Sequence, residues 1–368
     1  MRVLLTLPSL DREFGGPLGK ARDLLAELRS AGVEALLVGA GATESDDTIA
    51  LGELMRFRST PVPRRTSPLR GLVRGADVVH VLGFRDPVGT IAALHAQREG
   101  VPYVLEPTGM VHPRLRSFAL KRAFDSTLGR VVLRHAAAVI ATSELEAKEL
   151  RAHHVPGERI HVRPNGVRFD ELLPLPERGA FRGRYGIPPE ASLVLTIARI
   201  GAVKGLPTLM RAMARVPEAH LAIAGPDERD GTLRALDELR RAPELRERVL
   251  VLQRGIWGET KREALADADV FCLPSDFESF GTAAAEAVGC GLPLVTTSGC
   301  GIADLLDRSG SRVVPPGEAS ALASALRETL ASSVREAAER SAAALRQRLD
   351  WGAIAQRQLQ IYRTVASN

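Results

Sequence analysis

Aromatic residues make up only 4% of this chain, and only three cysteines occur among its 368 residues. Few aromatics and no recognised binding motif argue against a nucleic-acid surface. Cys272, Cys290 and Cys300 form no C-x-x-C pair and are odd in number, which fits reduced thiols in a cytoplasmic protein. No His/Cys/Asp cluster shows zinc spacing. No apolar run reaches the roughly 20 residues of a membrane span. The opening Met1-Arg2-Val3-Leu4-Leu5-Thr6-Leu7-Pro8 imitates a secretion signal, but Asp11, Arg12 and Glu13 end it early and no small-residue cleavage site follows. It reads as a first strand. Internal repeats and low-complexity segments are also missing.

What is present is ordinary globular material, 45% hydrophobic and 25% charged, in a chain long enough for two cores. Short apolar runs alternate with helical patterns. In the first half the strands are Arg2–Leu7, Val33–Val38, Asp77–Leu82, Tyr103–Leu105 and Ala138–Ala141. In the second they are Leu193–Ala198, Leu221–Ala224, Val249–Gln253, Val270–Leu273, Leu294–Thr297 and Arg312–Val314. This alternation predicts two doubly wound, Rossmann-like α/β domains, 1–172 and 173–350. The Pro-, Gly- and Arg-rich run Leu173–Pro189 is the expected linker. A last helix, Trp351–Val365, carries aromatic and aliphatic residues on one face.

The net charge of +5 is unevenly spread. Between Val111 and His135 six basic residues, Arg114, Arg116, Lys121, Arg122, Arg130 and Arg134, face Asp125 alone. Interleaved Leu115, Phe118, Leu120, Phe124 and Leu128 make residues 111–135 a candidate for an anionic membrane surface, with peripheral attachment to the inner face of the cell membrane. A solvated helical face packed on its own domain is the plainer alternative.

Three local patterns resist their usual meanings. Gly15-Gly16-Pro17-Leu18-Gly19 reads as a loop after the first strand. It is no P-loop, because Lys20 is followed by Ala21, and it is no G-x-G-x-x-G. Gly39-Ala40-Gly41 ends a strand without the continuation a dinucleotide fingerprint needs. Asp267-Ala268-Asp269 has the look of a metal-binding triplet, yet it immediately precedes a buried strand, and no metal role is assigned to it.

The densest chemistry lies in residues 271–297. A buried strand ends at Pro274, a polar loop carries Glu278, a short Ala-rich helix carries Glu286, and a Gly-Pro turn leads to a second buried strand. Gly281 stands where the helix begins, so unpaired backbone N–H groups point outward there and favour a phosphate. Two carboxylates flanking that seat would repel phosphate, but they accept strong hydrogen bonds from hydroxyls. Phosphate between hydroxyl-bearing groups describes a sugar nucleotide.

Ser275-Asp276-Phe277-Glu278-Ser279-Phe280-Gly281, then Glu286-Ala287 and Gly291-Leu292-Pro293-Leu294-Val295, resembles the signature of the family-4 retaining glycosyltransferases of the GT-B fold. Ala198-Arg199-Ile200-Gly201-Ala202-Val203-Lys204-Gly205 is similar to the family's Arg…Lys-Gly pair. The resemblance implies two Rossmann-like domains facing across a cleft, closing on one ligand, with the last helix (351–368) packing back on the first domain. It implies a hexosyltransferase-type enzyme that takes a sugar from a UDP- or GDP-sugar to a carbohydrate or lipid-linked hydroxyl, with retention, no metal and no cofactor. Polysaccharide, glycolipid or other glycoconjugate biosynthesis is the setting it suggests.

By the same resemblance Arg199 and Lys204 stabilise the departing diphosphate, which suits fixed cations. Glu278 holds the transferred sugar, Ser279, Phe280, Gly281 and Thr282 lend contacts to the donor, and Glu286 takes the ribose. Arg254 and Ile256 fall where the base is contacted, and Gly15 and Gly16 face the donor phosphates. Tyr103-Val104-Leu105-Glu106-Pro107-Thr108-Gly109-Met110 departs from the pattern: Thr108 stands where the family has His or Arg. Thr108 hydrogen-bonds but is no base near neutral pH. His112 is a second acceptor-side candidate, and His80 a third, though it also reads as a core residue. Two rival readings are a sugar-nucleotide-binding subunit without turnover, which Thr108 favours, and a sugar-nucleotide epimerase, for which no acid–base pair is evident.

Overall fold

In the computed structural model the described residues are all except 12–15, 42–47, 52–53, 58–59, 64–66, 112–117, 308–309, 331–332 and 368. Side chains of 54–57, 60–63, 67, 118–120 and 333 are likewise not described. The chain divides into two compact units, Met1–Gly166 with Trp351–Asn368, and Val167–Asp350.

The first unit runs β1 (Arg2–Ser9), α1 (Gly16–Ser30), β2 (Glu34–Ala40), β3 (Thr48–Ala50), a small antiparallel hairpin of β4 (Leu54–Phe57) and β5 (Thr60–Pro63), α2 (Ser67–Arg74), β6 (Val78–Leu82), α3 (Pro87–Glu99) and β7 (Tyr103–Glu106). It continues with α4 (Phe118–Phe124), a π turn, α5 (Arg130–His135), β8 (Ala138–Ala141), α6 (Glu144–Ala152) and β9 (Ile160–Val162). Seven strands form one parallel sheet in the order β3-β2-β1-β6-β7-β8-β9. Alternation along β1 explains the layering: Val3, Leu5 and Leu7 face one core, Leu4 the other.

The second unit comprises α7 (Phe169–Leu172), α8 (Ala180–Tyr185), β10 (Ser192–Ile197), α9 (Leu206–Met213), β11 (Ala219–Ala224), α10 (Thr232–Leu239), β12 (Val249–Leu252) and α11 (Gly258–Asp267). Then come β13 (Val270–Leu273), α12 (Thr282–Gly289), β14 (Leu294–Thr297), β15 (Ser311–Val314), α13 (Ala319–Leu330) and α14 (Ser333–Leu349). Its parallel sheet has the order β12-β11-β10-β13-β14-β15. Strand order therefore reverses between β10 and β13, and a crevice beyond the carboxyl ends of those two strands is the natural ligand seat. Both α/β expectations hold.

Three details differ from the sequence reading. Residues 167–172 belong with the second unit, so the boundary falls within Pro164-Asn165-Gly166-Val167. Leu173–Pro189 is no linker: Phe181 is fully buried in the second core, and Arg182, 3% exposed, ties this run to Asp267, Asp269 and the carbonyls of Pro188 and Ala191. Composition marks Pro, Gly and Arg as exposed; here the guanidinium satisfies backbone that would otherwise be orphaned. Finally, Gly16–Gly19 are the first residues of α1. Pro17 fits a first helical turn, where its missing N–H has no partner to lose.

The last helix, α15 (Trp351–Ala366), is part of the first unit and packs on α1. Its Trp351 ring occupies the space a side chain at Gly166 would need: a Cβ there would lie 2.2 Å from the indole.

Candidate active site

The loop after β10 and the loop after β13 are pressed together at the switch point of the second sheet. Gly205 makes this approach feasible twice over: its φ is +63°, and a Cβ would come within 2.0 Å of the Pro274 carbonyl oxygen. Lys204, just before it, forms an ion pair with Glu278 across the gap. Arg199, on a largely exposed side chain, pairs with Glu228. Of the predicted cations, Lys204 therefore meets the predicted sugar-holding carboxylate Glu278, whereas Arg199, on the same loop, is paired with Glu228.

Glu278 is held by its backbone, which exchanges hydrogen bonds with Gly299 and Gly301 at 2.8 Å each. The Phe280 carbonyl accepts from Ile302 N–H at 2.7 Å, and the Phe280 ring is buried. That residue anchors the loop in the core, so only its backbone N–H remains for a ligand. Gly281 (φ +97°) caps α12 with no side-chain hydrogen bond, at the position expected for the phosphate seat. Ser279 and Thr282 flank it. Ser275, buried behind the loop, leaves its hydroxyl without a partner.

Glu286, on α12, meets Lys261 of α11 at 2.5 Å, with both side chains about one-sixth exposed. Lys261 and Glu228 were not foreseen. Neither has a local signal, because each partner is supplied by a distant segment. Arg254 is exposed, whereas Ile256 plugs its side chain into the core, 4% exposed. The Asp267-Ala268-Asp269 carboxylates are occupied structurally. Asp267 accepts from the backbone N–H of Gly179 and Arg182, and Asp269 from Leu193 N–H, Arg178 and Arg182.

The first unit carries a second charged cluster, built on the middle of β6 and the carboxyl end of β7. Glu106, fully enclosed, is bound by Lys20 and Arg163 and lies 3.3 Å from His80 Nε2. Burial alone would raise this carboxyl, but Arg163 and Lys20 outweigh burial and hold it well below the usual range. Burial pushes His80 down, keeping the ring neutral. Its Nδ1 is hydrogen-bonded with the Tyr362 hydroxyl at 2.6 Å, and its Nε2 faces the Glu106 carboxylate. His80 has no exposed surface, so it cannot touch an acceptor; it ties α15 to the sheet instead.

Thr108 does sit at a strand end, beside a shallow pocket lined by Pro8, Pro17, Lys20, Leu82 and Met110. Its φ of +54° is rare for a β-branched residue and costs on the order of 1–3 kcal/mol. Buried Glu146 holds this turn by accepting from Gly109 N–H at 2.5 Å, from Thr142 N–H at 2.8 Å and from the Thr142 hydroxyl at 2.6 Å. Gly15, His112, Arg114 and Arg116 lie outside the described residues. In the basic segment, Phe124 packs edge-on against Phe84, Arg85 is paired with Asp125, and Leu128 is 45% exposed. Among the described residues no helix is long and apolar enough to cross a membrane.

Two parallel-sheet α/β units with a basic and acidic site at the switch point define the GT-B class of glycosyltransferases. Residues 177–348 match the family model of glycosyl transferases group 1, and residues 15–166 that of the glycosyl transferase 4-like domain. A D-inositol 3-phosphate glycosyltransferase of Xylanimonas cellulosilytica is 32% identical over 90% of this chain and 82% of its own. One of the same name from Kineococcus radiotolerans is 30% identical over 75% and 69%. Among solved structures, HepE (Alr3699) of Anabaena, in complex with UDP-glucose, has a TM-score of 0.80 at 19% identity, covering 100% of both chains. Sucrose-phosphate synthase of Thermosynechococcus elongatus has 0.76 at 22%, covering 100% and 99%. The chain belongs to the family-4, group 1 glycosyltransferases.

Proposed function

We propose that the protein moves a sugar from a UDP- or GDP-sugar to a hydroxyl acceptor, with retention of configuration and no metal. The observation that carries this reading is the Lys204–Glu278 pair beside Arg199 at the switch point. A sugar diphosphate replaces both halves of that pair: its phosphates take over the ammonium, and its sugar hydroxyls take over the carboxylate. The exchange leaves no charge stranded. As the bond from the anomeric carbon to diphosphate oxygen breaks, Arg199 and Lys204 receive the growing negative charge, the role a metal plays in other transferases. The acceptor oxygen bonds to the anomeric carbon on the same face, and its proton passes to the leaving diphosphate. Glu286 accepts from the ribose hydroxyls.

Support for a nucleotide-sugar donor comes from HepE, solved with UDP-glucose. The relatives' name puts D-inositol 3-phosphate first on the acceptor panel. The test is calorimetric titration with UDP and GDP, with and without EDTA, on the native protein and on Arg199→Ala and Glu286→Ala. One nucleotide is expected to bind regardless of EDTA and to weaken in both variants. Binding of neither would overturn the reading. Binding without donor consumption across the acceptor panel would favour a non-catalytic subunit, the reading Thr108 supports.

A further inference from the structure

We infer that Thr297 is a positioning residue for Glu278, an inference that rests on the sugar-holding reading of Glu278 above. Thr297 is the last residue of β14 and is 2% exposed, so it acts as a support rather than a contact. Three threonine hydroxyls attend the carbonyls with which β13 leaves the sheet. Thr196 donates to Cys272 at 2.8 Å, Thr296 to Leu273 at 2.9 Å, and Thr297 to Ser275. The Ser275 carbonyl lies beyond the last residue pair of β13 and β14, Leu273 with Thr296, so a side chain must satisfy it.

The third bond differs from the first two in what it carries. The Thr297 hydroxyl also accepts from Gly299 N–H at 3.2 Å, which turns the chain back along the Glu278 loop. A hydroxyl has one proton and two lone pairs, so both bonds are made at once. Gly299 then passes so close to Asp276 that an added Cβ would lie 2.2 Å from the Asp276 carbonyl oxygen. Its own carbonyl accepts from Glu278 N–H at 2.8 Å, and Gly301 N–H donates to the Glu278 carbonyl at 2.8 Å. One hydroxyl therefore fixes both the start of the loop that bears Glu278 and the segment from which Glu278 hangs. On its other side the same loop is tied to the Lys204 turn, because Asp276 N–H donates to the Val203 carbonyl at 2.9 Å. The Cys300 thiol, 3.9 Å from the Ser275 carbonyl, is a weak donor and no substitute. Without the hydroxyl, a carbonyl and an N–H are orphaned beneath Glu278, and its carboxylate loses its register with Lys204. A shift of about 1 Å in a group that holds substrate can cost roughly 100-fold in rate.

The test compares Thr297→Val and Thr297→Ser with Thr196→Val, which removes a matching buried hydroxyl bond that does not reach the Glu278 loop. Native-state amide exchange, turnover of UDP-glucose and GDP-glucose with D-inositol 3-phosphate, and calorimetric binding of UDP and GDP would be measured on each. Thr297→Val should speed exchange at Glu278 and Gly301 about tenfold and slow turnover about 10- to 100-fold. It should leave UDP and GDP binding unchanged, since neither carries the sugar. Thr297→Ser should recover most of the loss, and Thr196→Val should keep native exchange at Glu278 and native turnover. Native exchange at Glu278 and Gly301 in Thr297→Val overturns the positioning role and leaves the donor reading standing. So does a loss that Thr297→Ser fails to recover or that Thr196→Val reproduces. Failure of the native protein to bind either nucleotide overturns the donor reading, while the exchange rates still decide whether Thr297 holds Glu278.

Discussion

The two units treat charge in opposite ways. In the first, Glu106, Arg163 and His80 have essentially no exposed surface, and the Glu106 carboxylate gathers Arg163, Lys20 and His80 around it. In the second, Lys204–Glu278 and Lys261–Glu286 keep between one-tenth and one-quarter of each side chain in solvent, and Arg199 more. Enclosed ions cannot trade partners without a large desolvation penalty, so the first cluster locks structure. Ions at a sheet's open end can be handed from one partner to another, which is what a ligand requires.

Breaking this contrast should show it most strongly at Glu106. Glu106→Ala strands Arg163 and Lys20 in the core and is expected to lower stability by about 3–5 kcal/mol in urea unfolding. A loss below about 1 kcal/mol would mean that the cluster is hydrated rather than locked. The mirror experiment is Lys204→Ala, expected to slow sugar transfer about 100- to 1000-fold while costing only about 1–2 kcal/mol of stability. If stability fell as far as in Glu106→Ala, the two pairs would not differ in kind.

A third variant sharpens the comparison within the first unit. Asp86 caps α3 by accepting from Gly89 N–H at 2.7 Å, and burial pushes its carboxyl up to about 6. The folded state therefore keeps a proton that the unfolded chain releases near pH 4, and stability falls as pH rises from about 4 to 6. Asp86→Asn retains a cap acceptor and removes the charge. It should gain up to about 3 kcal/mol over the native protein at pH 7 and nothing near pH 4. A pH-independent difference would remove Asp86 as the source.

Much of this architecture is legible in the sequence because parallel strands covered on both faces read as short, nearly unbroken apolar runs. The candidate site at the switch point is legible for a related reason. Glu278, Gly281 and Glu286 lie within one strand–loop–helix unit, so their spacing is itself the geometry. The first-unit cluster is not legible, because Lys20, Glu106 and Arg163 belong to three distant segments brought together only by the sheet. Lys20 carries no mark beyond excluding a P-loop, and Glu106 is one charge at the end of an apolar strand. Leu173–Pro189 misleads in the other direction, since composition cannot tell a solvated arginine from Arg182, whose guanidinium is enclosed by carbonyls and Asp269.

The return of α15 has a consequence for biosynthesis. The first unit is interrupted in the chain by the whole of the second, and the helix that seals His80 and covers α1 is translated after both sheets. At roughly 5–20 residues per second, the ribosome leaves the apolar face awaiting Trp351, Ile354, Leu359 and Tyr362 uncovered for some ten to forty seconds. During that interval this apolar face stays open to water, while the second unit, continuous in sequence, can complete its own core without waiting for α15.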